Sequence, residues 1–301
     1  MTYRAIALLT FLDALAPPVA AADAVGEESS GWNAVIVGGL ALSLALYGVG
    51  TMRLWRRAGW GRGIRPWQAG AFIAGWAAIA IALVSPIERL SDEMFAAHMI
   101  EHELLMVVAA PLLVVARSLS AIVWALPIAW RRAVGGVAQS RPFAHAWNAM
   151  LWPGPAWTVH AAALWLWHAP VLFQAALIAP GVHALQHTCF FGAALFYWWS
   201  LLRPGARWHR GISILSLFGT SVHSSFLGAL LTLSQVAWYP LYGREGLPLG
   251  LSPLEDQQLA GLIMWVPGGL VYVGAALGLL YAVLSAGEAR SAQGGVRAAR
   301  A

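Results

Sequence analysis

The chain has 301 residues, 59% of them apolar and only 10% charged, with 17 tryptophans. So little polar surface cannot cover a water-soluble globule, and lipid is its natural solvent. The net charge of +5 would point to nucleic acid in a soluble protein, but here every basic residue is arginine and sits between apolar runs, so no nucleic-acid partner is expected. One cysteine, Cys189, excludes an intramolecular disulfide and a cysteine-only metal site within one chain.

Residues 1–24 run from Arg4 through a short apolar stretch to the small residues Val19-Ala20-Ala21-Ala22, the order of a cleavable secretory signal interrupted by Asp13. After it come apolar stretches at 33–53, 67–85, 94–116, 155–178, 183–202, 211–236 and 257–284, each close to the ~20 residues a spanning helix needs. The expectation is an all-α fold, a polytopic transmembrane helical bundle of about seven spans. Residues 25–288 form one membrane domain in this reading, with 289–301 as a cytoplasmic tail.

Arginines gather after the first, third and fifth stretches and in the tail, whereas the opposite loops hold only Arg89 and Arg244. Because arginine-rich loops stay cytoplasmic, the N-terminus is expected outside and the C-terminus inside. The apolar segment Leu119–Trp130 within the long loop 117–154 is too short to span and reads as an interfacial or re-entrant helix. The loop from Trp238 to Glu255 carries Tyr239-Pro240, Gly243, Gly246, Pro248, Gly250 and Pro253, which predicts irregular backbone able to cap a site beneath it. Trp165, Trp167, Trp198, Trp199, Trp238 and Tyr239 read as interfacial aromatics.

Ionisable residues within spans are costly, so their positions carry information. His98 and His102 lie four apart at the outer end of the third stretch, and His183 and His187 four apart at the outer end of the fifth. That spacing puts two imidazoles on one helix face about 6 Å apart along the axis, close enough to share an ion. His168 lies at similar depth in the fourth. At ~100° per residue, Glu101, His102 and Met94 fall within about 60° of His98, while Glu103 points away.

A lone pair of this kind is more commonly two core histidines bonded to nearby carbonyls. Two pairs at matched depth favour a metal site, because each buried imidazole otherwise needs its own partner. His160 lies about 12 Å deeper than His168. His223, beside Ser221, Ser224 and Ser225, reads equally as an interhelical hydrogen-bonding group or as a functional one. Asp256 is either a helix cap or the orienter of a ligating imidazole, with Gln257 next to it. Imidazole suits copper, zinc and iron alike, and Met94, Met99, Met106 and Met264 would add sulfur favouring Cu(I).

Four motifs in order, His98-Met99-Ile100-Glu101-His102-Glu103 with Ala110-Pro111-Leu112-Leu113, Trp165-Leu166-Trp167-His168-Ala169-Pro170, His183-Ala184-Leu185-Gln186-His187, and Asp256-Gln257-Gln258-Leu259-Ala260-Gly261, resemble the caa3-type cytochrome c oxidase assembly factor family, the polytopic membrane type called CtaG. The resemblance runs from about Trp67 to Tyr281. It implies a multi-pass protein of the bacterial plasma membrane, not itself an enzyme, that assists copper delivery to the catalytic subunit of a haem-copper oxidase. A periplasmic copper donor is then an expected partner besides the oxidase and the lipid bilayer. The metal set expected is His98, His102, His168, His183 and His187, with Met94, Glu101, Asp256, Gln257 and His223 as auxiliary residues. Two other readings stay open at this point: a haem-binding redox protein, with iron held by facing histidines, and a metal or proton transporter.

Overall fold

The structure is a computed structural model that describes residues 22–202, 210–242 and 247–298. The signal segment expected at 1–24 therefore falls almost wholly outside the described residues, as does Arg244. The described chain is all-helical, with no strand among its residues.

Twelve helices carry the site and its supports. α1 is Ala22–Ala58, α2 Pro66–Val84, the short amphipathic α3 Pro86–Glu93, and α4 Phe95–Val115. The arginine-rich connection holds α5 Ser118–Ala125, α6 Ile128–Gln139 and α7 Arg141–Met150. α8 is Pro153–Trp167, α9 Pro170–Ile178, α10 Pro180–Leu202, α11 Arg210–Leu233 and α12 Pro253–Ala286, the last continuing in helix to Ala298.

Five of these, Ala34–Ala58 within α1, α2, α4, α11 and α12, are long and apolar enough to cross a membrane. The fourth expected stretch is broken: α8 and α9 meet at 71° across His168 and Ala169, and count as a sixth crossing if taken as one bent span. Proline explains the break, because the residue before Pro170 is pushed to extended backbone and Ala169 adopts φ −63°, ψ 130°. α10 has 23 residues but is diluted by His183, Gln186, His187 and Thr188, so it is not among the five. Outward side chains such as Leu42, Ile73, Leu215, Phe218 and Leu277 are at least half exposed, the pattern of a surface solvated by lipid.

Two π turns interrupt the long helices. Leu104–Ala109 lies just before Pro111 in α4, and Met264–Gly268 contains Pro267 in α12. Proline lacks an N–H and its ring crowds the carbonyl four residues back, so one wider turn relieves the clash. α11 and α12 touch backbone to backbone at Gly228 and Gly261, where a β-carbon on either glycine would collide with the other's carbonyl oxygen.

The segment Leu119–Trp130 is helical through Ala125, as expected, but it packs on α1 rather than lying free: a side chain at Gly50 would collide with the Ala121 carbonyl. α6 and α7, which the sequence reading did not separate, are amphipathic helices with no buried residue. The main core joins Met106, Phe190, Tyr197, Trp198, Leu227 and Tyr272 from α4, α10, α11 and α12. A second apolar cluster, Phe95, Met99, Phe173, Leu231, Tyr239 and Tyr242, closes the end of the bundle where α4 and α12 begin.

Candidate metal centre

α4 positions two of the histidines, and its start is fixed from a distance. Asp256, fully buried at the head of α12, accepts hydrogen bonds from the Phe95 and Ala96 amides at 2.7 and 3.0 Å. These N–H groups have no partner within their own helix, so the carboxylate caps α4 and fixes the turn that leads to His98. α12 is capped instead by Ser252, which forms a reciprocal box with Glu255. Asp256 is thus a cap, but of the helix opposite its own. Gln257 accepts from the Trp238 amide at 2.6 Å and donates to the Val236 carbonyl at 3.1 Å, anchoring the loop after α11.

Above that cap, the two histidine pairs converge. His98 and His102 have ring centroids 4.4 Å apart on α4, and His183 and His187 the same on α10. Across the helices, His98 stacks on His183 at 5.1 Å, and His187 lies 5.6 Å from His98 and 5.2 Å from His102. Glu101 is fully buried and presents a carboxylate oxygen 3.8 Å from His187 Nε2. One ligand atom from each of His98, Glu101, His183 and His187 lies within 4.8 Å of all the others.

Donors at ~2.0 Å around a tetrahedral ion stand about 3.3 Å apart, and His183 Nε2 and His187 Nε2 already approach to 3.1 Å. The widest spacing in the group, up to 4.8 Å, would have to close by about 1.5 Å to reach that value. Both nitrogens of His98 and of His102 and both oxygens of Glu101 are buried without a hydrogen-bond partner of good geometry. A native interior rarely leaves so many polar atoms orphaned together, and an ion would take one nitrogen of His98 and one oxygen of Glu101 as ligands. The residues present therefore fit a metal.

His102 and His168 border this group. The His102 ring contacts Phe190 at 4.5 Å and His168 at 6.2 Å. His168 sits at the α8–α9 break with Nδ1 on the Leu164 carbonyl at 2.7 Å, which leaves Nε2 unpartnered. Met94 is buried in extended backbone at the α3–α4 junction. His223 stands apart, edge-on to Trp157 at 5.6 Å. Glu103 points away from the cluster, as its rotation requires, and faces Gly268 in the π turn of α12.

Sequence reasoning expected a cap from the loop that begins at Trp238 but not the tyrosines that supply it. Tyr239, taken for an interfacial aromatic, is 2% exposed and donates to the His168 carbonyl at 2.7 Å. Tyr242 donates to the Ser91 carbonyl at 3.1 Å, and both tyrosines pack on Phe95 and Phe173. Burial, then the nearby Asp256, Asp92 and Glu101 carboxylates, hold the Tyr242 hydroxyl protonated well above its ordinary range. The same crowding, through burial and then Glu88 and Glu93, pushes the Asp92 carboxyl up. Trp198, another residue expected at an interface, is instead core, donating to the Met106 carbonyl at 3.0 Å. The signal for the cover was the Gly/Pro-rich loop itself; its tyrosines gave none.

Among known proteins, the family model of the cytochrome c oxidase caa3 assembly factor, Caa3_CtaG, matches residues 45–286, which includes every helix that lines the histidine cluster. No curated protein and no solved structure matches the chain. With most of its length covered by that one model, the chain belongs to the cytochrome c oxidase caa3 assembly factor family.

Proposed function

We propose that this assembly factor binds copper as its cargo at the buried histidine cluster and hands it to the catalytic subunit of a haem-copper oxidase. The observation that carries the reading is the convergence of His98, Glu101, His183 and His187 within 4.8 Å, with orphaned imidazole and carboxylate atoms. Three imidazoles and one carboxylate bind copper or zinc, and His102 and His168 offer further nitrogens at the border of the group. Copper is favoured because the family serves an oxidase. A centre that hands metal on needs a ligand set that can change, and a cluster with spare imidazoles at its border supplies one.

The arginine distribution supports the matching topology: seven crossings, with α10 and the bent α8–α9 pair each spanning once, the arginine end cytoplasmic and the histidine end at the outer surface of a bacterial plasma membrane. Residues 25–288 then form one membrane domain behind a removable leader, with a cytoplasmic tail and no catalytic role of its own. The site opens to a periplasmic copper donor through the Tyr239–Tyr242 cover.

The test is co-expression with a haem-copper oxidase in a strain lacking its own assembly factor. His98→Ala and His187→Ala are expected to leave the oxidase subunits in the membrane with their copper depleted and activity lost. Full oxidase copper and activity with both variants would contradict the proposal.

A further inference from the structure

At the end of the bundle opposite the histidines, a cavity of about 510 Å³ is lined by Arg53, Arg56, Arg57, Arg131, Trp124 and Pro127, among others. Four guanidinium groups gather positive charge around one cavity, and no carboxylate lines it. Among the described residues none of these arginines forms an ion pair with Asp or Glu.

The walls are built rather than incidental. Arg53 donates to the Ala125 carbonyl, pinning the end of α5, and the Arg131 guanidinium lies 4.4 Å over the Trp124 ring. The collision that any side chain at Gly50 would make with Ala121 shows how closely α5 is docked on α1. Arg56 and Arg57 are exposed and Arg131 is half-buried, so three of the four heads remain available to a ligand.

The helix at the rim of the cavity points to that ligand. α6 starts at its rim with Ile128, and on the opposite side of the helix Trp130, 68% exposed, lines up with exposed Val134 and Val137. An amphipathic helix with that apolar face lies at the boundary of hydrocarbon and headgroups. Arginines there meet lipid phosphates, which a guanidinium fork grips through paired hydrogen bonds. We propose that this cavity is a binding site for the phosphate headgroup of an anionic glycerophospholipid, which ties α1 to the α5–α6 elbow. The site is independent of the copper reading.

The test uses the full chain purified in a neutral detergent, with lipid retention measured by native mass spectrometry and thermal shift. Phosphatidylglycerol is expected to bind at least tenfold more tightly than phosphatidylcholine, and millimolar inorganic phosphate is expected not to displace it. At about fivefold per arginine, Arg56→Gln/Arg57→Gln/Arg131→Gln should weaken phosphatidylglycerol binding ~100-fold, and Arg56→Gln alone about fivefold. A triple with the same charge change outside the cavity, Arg62→Gln/Arg132→Gln/Arg141→Gln, should lose less than about threefold, the amount left to long-range attraction. Equal losses in the two triples would reduce the effect to diffuse charge and overturn the proposal. So would equal retention of the two lipids, or displacement of phosphatidylglycerol by inorganic phosphate.

Discussion

His98 and His160 are both sealed inside the bundle, at 0% and 1% exposure, yet their surroundings differ in kind. His160 stacks on Tyr197 at 4.8 Å and lies within 3.4 Å of the Tyr272 hydroxyl, while Thr220 donates to Tyr197 at 2.9 Å. That is a ladder of donors and acceptors from α8, α10, α11 and α12, the ordinary way polar groups join helices in lipid. His98 is surrounded by imidazoles and a carboxylate, and neither of its nitrogens is satisfied. Residue type and burial are the same in both places, and His160 too keeps one nitrogen, Nδ1, without a partner; what differs is the company, aromatic rings and hydroxyl groups around His160 and further metal-ligating side chains around His98. Among aromatic rings and hydroxyl groups from four helices, the histidine packs helices. Where several metal-ligating donors converge, as around His98, the arrangement is one that could hold an ion.

The comparison breaks most sharply at the ligands. Removing His98 or His187 by alanine substitution is expected to weaken copper binding on the order of 100-fold or more, measured by competition with a chromophoric Cu(I) chelator. Glu101→Gln keeps the shape and removes the charge, and an approximately tenfold loss in the same titration would place its carboxylate beside the ion. No loss would return Glu101 to a packing role.

Smaller effects fall on the supports. Asp256→Ala removes the acceptor of two amide hydrogen bonds at the start of α4 and should destabilise the protein by about 2 kcal/mol, seen as a lower melting temperature in detergent. An unchanged melting curve would show that α4 does not need its cap. Tyr239→Phe leaves the His168 carbonyl without its donor and is expected to cost about 1 kcal/mol and to speed copper release to a chelator a few-fold. The control at the other end of the scale is His160→Phe, which should lower stability and leave copper affinity within experimental error; a ligand-sized loss there would erase the distinction between the two groups of histidines.

Much of this was legible before any coordinates. The i, i+4 spacing placed His98 with His102 and His183 with His187, and helical rotation put Glu101 with the first pair and Glu103 away from it. Those are short-range consequences of 3.6 residues per turn. The rest depends on contacts between distant parts of the chain. Asp256 caps amides 160 and 161 positions away, a pairing that no local pattern encodes, so its two readings as cap and as imidazole orienter stood level. Tyr239 carries the sequence signature of an interfacial aromatic and became a cover only because the loop after α11 folds back over Phe95 and Phe173. His168 read as one more residue in a continuous span, whereas Pro170 breaks that span beside it and turns the imidazole toward His102. Glu101 counts as an auxiliary residue in the sequence and is one of four donors that lie within 4.8 Å of one another in space.

Elemental analysis of the detergent-purified protein reports most directly on the central claim. Wild type loaded with Cu(I) under reducing conditions and desalted is expected to carry about one copper per chain, His183→Ala/His187→Ala close to none, and His160→Phe the wild-type amount. Equal copper in wild type and the double variant, or copper that disappears with His160 instead, would contradict the account.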